Sequence, residues 1–444
     1  MVTPPPLARK VRKHLSADAL YRLIHEGCRK IPDHRPPGSV IPLSDALMSA
    51  FAMFCLKDPS LLAFDGRRHD ANMKAVFGIG QIPCDTQMRT VLDGANPEHL
   101  RPLFADVFRP LQRGKALERF EFYAGCYLLS LDGTGYFSSQ KIHCSSCLEK
   151  VNQKTGEVTY EHQMLAAVIV HPDLKEVIPL APEPIQKQDG STKNDCERNA
   201  ARRLLRKIRQ QHPHLKLIVV EDGLSSNGPH VRDLMECNMH FILGVKPGDH
   251  VYLFEQVEAA RQQGRLASFS WREGKVRAEV SWVHCVPLNE SNQDLKVGFL
   301  EYSEYDNEGK RVKHFTWITD LHITGRNAKL FVRAGRSRWK VENETFNTLK
   351  NQGYHYEHNY GHGEQNLSVV FAMLMMLAFL VDQTQQLCCG LFRAVWEKEG
   401  SKRALWEKLR SHFVHFRFRS MRQLYEAMLY DWAKEVPLPA PDTS

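Results

Sequence analysis

Two short apolar runs that end abruptly in Asp-Gly constrain this chain more than any other feature. They read LLSLDG at residues 128–133 and LIVVEDG at 217–223. Runs of this length bounded by turn residues are buried strands. A carboxylate just past the C-terminal end of a sheet strand lies where α/β folds place ligand sites. If the two strands are neighbours, Asp132 and Asp222 face one spot. Strand-end Asp-Gly is also an ordinary turn dipeptide, so neither acid is decisive alone.

The surroundings support an α/β core. QMLAAVIV and EVIPLAP are further apolar runs. The basic helix CERNAARRLLRKIRQQ leads straight into the second Asp-Gly strand. Ahead of this, residues from about 15 to 118 are helical in pattern. In DTQMRTVLD, Asp85 and Thr86 are N-cap types, and Met88, Val91 and Leu92 follow at helical spacing. Arg9, Lys10, Arg12, Lys13, Arg29 and Lys30 make the start basic. A small helical DNA-binding domain fits this pattern, and a generic helical domain fits it nearly as well. Residues from about 240 to 318 alternate as antiparallel strands, with turns at Gly248, Asn307 and Gly309. A helix through SRWKVENETFNTLKNQ follows, then the apolar run at 367–381, too short for a membrane helix and best read as a core helix. The tail is helical and ends in a proline-rich stub.

With 444 residues, two or three domains are expected. The net charge of +8 suits a polyanionic partner without proving one. Eleven cysteines and no secretory pattern at residues 1–15 point to a reducing compartment, with the cytoplasm as default and no membrane.

A third acid comes from RSRWKVENETF. Arg338 and Glu342 are four residues apart, on one face of a helix. Three such carboxylates could hold two divalent ions that clamp an in-line phosphoryl displacement, with the arginine on a phosphate. An ordinary surface salt bridge has the same spacing. Glu344 is a rival, but two residues along an α-helix is about 200° of rotation, so only one of the pair can face the metals.

The order LDGT, IVVEDG, an inserted β region and RWKVE resembles the DDE transposases of bacterial insertion sequences. The resemblance is to the cut-and-paste branch with a Y-R-E-K signature around the last acid. It implies an RNase H-like mixed sheet core with a β-rich insertion, a helical N-terminal domain and a helical C-terminal region. On that frame residues 1–118 form the DNA-binding domain, 119–239 and 319–384 the two parts of the catalytic core, 240–318 the insertion and 385–444 the C-terminal region. The resemblance implies Asp132, Asp222 and Glu342 as metal ligands and catalytic acids, with Arg338 beside them. It implies two Mg2+ ions, replaceable by Mn2+, and nicking followed by strand transfer. The partners implied are terminal inverted repeats and target DNA, engaged by a homodimer. Two positions depart from the signature. Gly335 stands where the tyrosine would be, and Leu349 where the lysine would be, with Lys350 one residue later. A nuclease that cuts without joining, or a non-catalytic DNA-binding protein derived from a transposase, are the alternatives.

Further DNA contacts are expected from Lys350, from Arg202 and Arg206 on the basic helix, from His358 in GYHYEHNYGHG, and from Trp271 in the β region, which could stack a base. Solvated helix faces and core packing are the commoner uses of such residues; Trp282 is a second candidate of this kind. His355, His358 and His362 are read as a polar loop near DNA rather than a metal site. In HCSSC, beside His143, Cys144 and Cys147 form half a zinc site, which would need two more ligands such as the later His162 and another cysteine. A tight turn is the preferred reading there.

Overall fold

The computed structural model describes residues 14–187, 195–274 and 276–431. Arg9, Lys10, Arg12, Lys13 and the proline-rich stub lie outside the described residues.

Helices come first: α1 (Ala17–Cys28), α2 (Leu43–Leu56), α3 (Leu61–Asp65), α4 (Ala71–Phe77), α5 (Asp85–Asp93) and α6 (Arg101–Arg113). In α5 the expected Met88, Val91 and Leu92 are the buried face. Its N-cap is Cys84, one residue earlier than the expected Asp85, and the Cys84 amide donates to the Gln87 side chain at 3.1 Å.

The strands follow: β1 (Glu121–Tyr123), β2 (Cys126–Ser139), β3 (Leu148–Val151), β4 (Val158–Val170), β5 (Ile178–Pro179) and β6 (Glu183–Ile185). Next come α7 (Glu197–Gln211), β7 (Leu217–Glu221), α8 (Gly228–Glu236), β8 (His240–Gly244) and α9 (Val251–Gln262). Four longer strands complete the sheet: β9 (Ala267–Glu273), β10 (Val276–Pro287), β11 (Lys296–Tyr305) and β12 (Arg311–Thr319). All belong to one twelve-stranded sheet whose main path runs β3-β4-β2-β7-β8-β12-β11-β10-β9. The pairs β2/β7 and β7/β8 are parallel, and β4/β2 and β12/β8 are antiparallel. This is the mixed sheet of an RNase H-like core. The strands read as an insertion form no sheet of their own, because β12 pairs with β8 and continues the core sheet.

Sequence dictates which strands lie centrally. LIVVE of β7 is buried at every position, as befits a strand paired on both sides and covered by helices. Ala200, Ala201, Leu204, Leu205 and Ile208 of α7 make one apolar stripe, leaving its arginines on the outer face.

After the sheet come α10 (Ala328–Arg336), a π-helical segment (Val341–Phe346), α11 (Asn347–Asn351) and α12 (Leu367–Cys388). The chain then runs through α13 (Gly390–Glu399), α14 (Lys402–His415) and α15 (Met421–Tyr430). Helix α12 is long and apolar enough to cross a membrane, but every residue of it is buried in the protein. It packs against α2, α5 and α6 on one side of the chain and α13 on the other, so N-terminal and C-terminal helices share one core with the sheet. A buried ion pair joins them, Lys57 Nζ to Asp382 at 2.6 Å, with the Lys57 ammonium over the rings of Tyr354 and Trp406.

Candidate active site

Register brings the two Asp-Gly strands together. In the parallel β2/β7 pair Ser130 lies opposite Val220, so Asp132 and Asp222, each two residues on, come side by side. Asp222 follows the end of β7, but Asp132 does not end β2 as its Asp-Gly suggested: the strand runs on to Ser139, paired with β4 throughout. Neighbouring strands stand about 4.8 Å apart. Beyond β7 the chain turns through Gly223–Ser225, and the Asp222 carboxylate caps that turn, accepting from the Leu224 amide at 3.0 Å.

The third acid reaches the same place from the other end of the chain. The Ser130 hydroxyl, two residues before Asp132, donates to the Arg338 carbonyl at 3.0 Å and fixes the turn after α10 against β2. From there Arg338 Nη1 contacts Glu342 at 2.6 Å and lies 3.8 Å from Asp132. The segment holding Glu342 is π-helical rather than the α-helix expected, a local widening that recurs at functional sites. Glu344 lines a separate pocket with Lys175, Glu176 and Lys402. Among the two glutamates, only Glu342 joins Asp132.

A fourth carboxylate was not anticipated. Glu197 opens α7, and its side chain packs so closely over Gly133 that a Cβ there would overlap its carboxylate. It lines one cavity with Asp132, Glu221 and Asp222. The only signal in the sequence is an acid in the first turn of an otherwise basic helix, which also suits the helix dipole. Glu221 is occupied elsewhere, receiving His230 at 2.6 Å and the Ser225 hydroxyl at 3.0 Å.

Crowding of these acids has an electrostatic signature. Burial, then the charge of Glu342, pushes the Asp132 carboxyl up to about 7, with Arg338 opposing and Glu197 adding to the rise. Glu197 is raised too, by burial first and then by Asp222 and Glu221. Arg338 offsets this crowding only in part, since Asp132 stays raised despite it, and the donor set is all oxygen. Asp132, Asp222 and Glu342, with Glu197 beside them, therefore fit a hard divalent cation such as Mg2+.

The remaining expected residues are more scattered. Arg202 and Arg206 lie half-exposed on α7 and are paired with Asp233 and Glu236 of α8. Lys350 pairs with Glu357 at 2.7 Å, whereas Leu349, in the lysine position of the signature, is fully buried. His358 is exposed and sits edge-on to Tyr360. Trp271, on the edge strand β9, is half-buried beside Phe269 and Tyr302, with Lys329 Nζ 3.9 Å above its ring. Trp282 is buried in the core. The histidine trio does not act as a unit. His362 leaves it to converge with Cys144, Cys147 and His162, and His143 instead stacks on Tyr160.

Gly335, the position of the missing tyrosine, is filled from outside. Trp317 of β12 packs against it so tightly that any Cβ would overlap the indole. Trp317 and the exposed Trp339 then line a pocket that also reaches Asp222, Lys246, Arg336 and Arg338. Trp339 lies within the RWKVE motif yet went unnoticed, because its neighbours carry the pattern.

A mixed sheet in which two adjacent parallel strands bring Asp132 and Asp222 side by side, with Glu342 reached through Arg338, is that of the RNase H-like class. The family model for the transposase DDE domain matches residues 149–380, just over half of the chain, and the chain belongs to that family. Asp222, Arg338 and Glu342 fall inside the matched span, and Asp132 lies ahead of it, tied to the site by its register with β7. A comparison with curated proteins gives no match.

Proposed function

We propose that this chain is a DNA transposase of the cut-and-paste type, cleaving DNA at the ends of its own element and joining the freed 3′ end to a target. The observation that carries this reading is the convergence of Asp132 and Glu342 on one guanidinium, with Asp222 alongside across the parallel strand pair. Asp132, Asp222 and Glu342 would hold two Mg2+ ions, for which Mn2+ could substitute. When bound, these ions supply the Lewis acidity that activates the attacking oxygen and offsets charge building on the phosphate.

The protein's own groups do the rest. Asp132 would give up its proton to serve as a ligand, because burial and the charge of Glu342 push its carboxyl up to about 7 even with Arg338 beside it. Arg338 turns from the carboxylates to a phosphate oxygen as the site fills, a role suited to its planar fork. Glu197 adds a fourth carboxylate to the lining of the site, over Gly133. Lys246 and Arg336, in the pocket with Trp317 and Trp339, contact the backbone of the bound strand, and the exposed Trp339 ring stacks a base. Trp317 supplies the aromatic surface that the signature places at the position of Gly335. Lys350, His358, Arg202, Arg206 and Trp271 form an outer set of DNA contacts. The DNA partner is bound by two copies of the chain, in the cytoplasm.

The test is a plasmid carrying the DNA that flanks the coding region. Purified protein with Mg2+ is expected to nick at the element ends and to give joined products with a second plasmid. Nicking without joining would favour a plain nuclease. Binding without any Mg2+-dependent cut would leave a DNA-binding protein that has lost catalysis.

A further inference from the structure

A second cluster of ligating side chains lies along β2, well away from the acids. Phe137 pairs with His162 five residues beyond the Asp132–Ala166 pair. That distance along a strand is about 17 Å. Past the end of β2, the turn of HCSSC brings Cys144 and Cys147 back over β4, where His162 faces them. His362 arrives from the loop before α12.

The distances among these atoms are specific. The two sulfurs are 3.8 Å apart, and each lies 3.5 Å from His162 Nε2. His362 Nε2 is 3.2 Å from Cys147 Sγ and 3.2 Å from His162 Nε2. With Zn–S bonds of about 2.3 Å and Zn–N bonds of about 2.05 Å, a regular tetrahedron has edges of about 3.8 Å between sulfurs, 3.6 Å between sulfur and nitrogen and 3.3 Å between nitrogens. All four ligand atoms lie within 4.8 Å of one another.

Hydrogen bonding alone explains this packing poorly. His362 Nδ1 stands 2.8 Å from the Gly363 carbonyl and so carries the proton, leaving a bare lone pair on the Nε2 that points into the cluster. Carbonyl acceptors of this kind commonly orient metal-bound imidazoles. His162 Nδ1 is buried with no hydrogen-bond partner. The loop is also held in place before any ligand arrives. Gly361 and Gly363 flank His362 with φ of +153° and +71°. The Asp93 carboxylate accepts from four consecutive amides, those of Glu364, Gln365, Asn366 and Leu367.

We propose that Cys144, Cys147, His162 and His362 bind one structural Zn2+. Four protein ligands close the coordination sphere, which marks a structural rather than a catalytic zinc. The ion ties the turn after β2 and strand β4, the antiparallel partner of the strand of Asp132, to the segment that leads from the Glu342 helix into α12. It thereby joins the neighbours of two pieces of the acidic site, through residues some 200 apart in the chain.

The full chain, purified under reducing conditions after exposure to Zn2+ and desalted, is assayed for metal. One zinc per chain is expected, and replacement by Co2+ should give the visible bands of a tetrahedral ion together with a thiolate charge-transfer band. Cys147→Ser and His362→Ala should each reduce retained zinc at least tenfold, while Cys285→Ser, at an exposed cysteine outside the cluster, retains it. Asp132→Asn should also keep its zinc, so the fate of this site is read independently of the acidic one. Wild-type protein that holds neither zinc nor tetrahedral cobalt, or that carries a Cys144–Cys147 disulfide in place of the metal, would overturn the proposal. The wild-type cobalt spectrum decides the matter even if the two ligand variants fail to fold.

Discussion

Arg338 and Glu342 form one ion pair at 2.6 Å, and the same guanidinium nitrogen lies 3.8 Å from Asp132. In the absence of cations and DNA, the arginine is the countercharge of the site. Arg338→Ala removes it, which should raise the Asp132 carboxyl still further, since Arg338 is the group holding it down. The nicking rate should fall by about 10²-fold, as for loss of a charged group at a developing transition state. Its rise with pH should also move to higher pH. A rate–pH profile of the variant in Mg2+ checks both, and an unshifted profile would mean that Arg338 and Asp132 are not electrostatically linked.

Asp132 also makes stability depend on pH. Its folded carboxyl titrates near 7, well above the ordinary unfolded value of about 3.9. Between those values the folded chain holds a proton that the unfolded chain has lost, so stability from this group falls as pH rises. Asp132→Asn removes the effect. In buffer free of Mg2+, the variant is expected to match wild type near pH 4. Above pH 7 it should exceed wild type by about 1–2 kcal/mol, a figure reduced for solvent screening at a side chain that is a quarter exposed. Urea midpoints across the range measure it, and a gap independent of pH would contradict the assignment.

Glu197→Gln keeps shape and removes charge beside Gly133. If Glu197 helps to hold cations, Mn2+ affinity should weaken several-fold and nicking should drop about tenfold, with the urea midpoint unchanged or slightly raised. Unaltered Mn2+ affinity would reduce Glu197 to a packing role.

Gly335→Ala should destabilise by about 1–3 kcal/mol, the usual cost of forcing a methyl into a filled core. This outweighs the gain of about 1 kcal/mol that alanine brings to a helix. Adding Trp317→Leu should recover part of the loss, because the indole is what the new methyl meets. A neutral single variant would show that β12 gives way easily.

Much of the core was legible in the primary structure because its signals are local. The end of β7 at Asp222, the apolar stripe of α7, and the pairing of Arg338 with Glu342 each depend on residues within a few positions, whereas the Asp-Gly at 132 is no strand end, because β4 pairs with β2 past it. What escaped depends on tertiary contact. Nothing in the alternation of β9 to β12 reveals that β12 pairs with β8 and extends the core sheet. Glu197 looks like an ordinary first-turn acid until Gly133 is folded beneath it. Trp317 supplies an aromatic group to a position eighteen residues away in sequence, and His362 finds its partners some 200 residues upstream. The π-helical segment at Val341–Phe346 follows no residue pattern that distinguishes it from an α-helix.

Whether Asp132, Asp222 and Glu342 share one metal centre can be read from the backbone itself. With Fe2+ in place of Mg2+, ascorbate and peroxide generate hydroxyl radicals at the bound ion, which cut the nearby chain. Three clusters of cuts are expected, close to residues 132, 222 and 342, all suppressed by excess Mg2+ and lost together in Asp132→Ala. Cuts at only one or two of these places, or a pattern that Mg2+ does not suppress, would show that the acids do not form a common site.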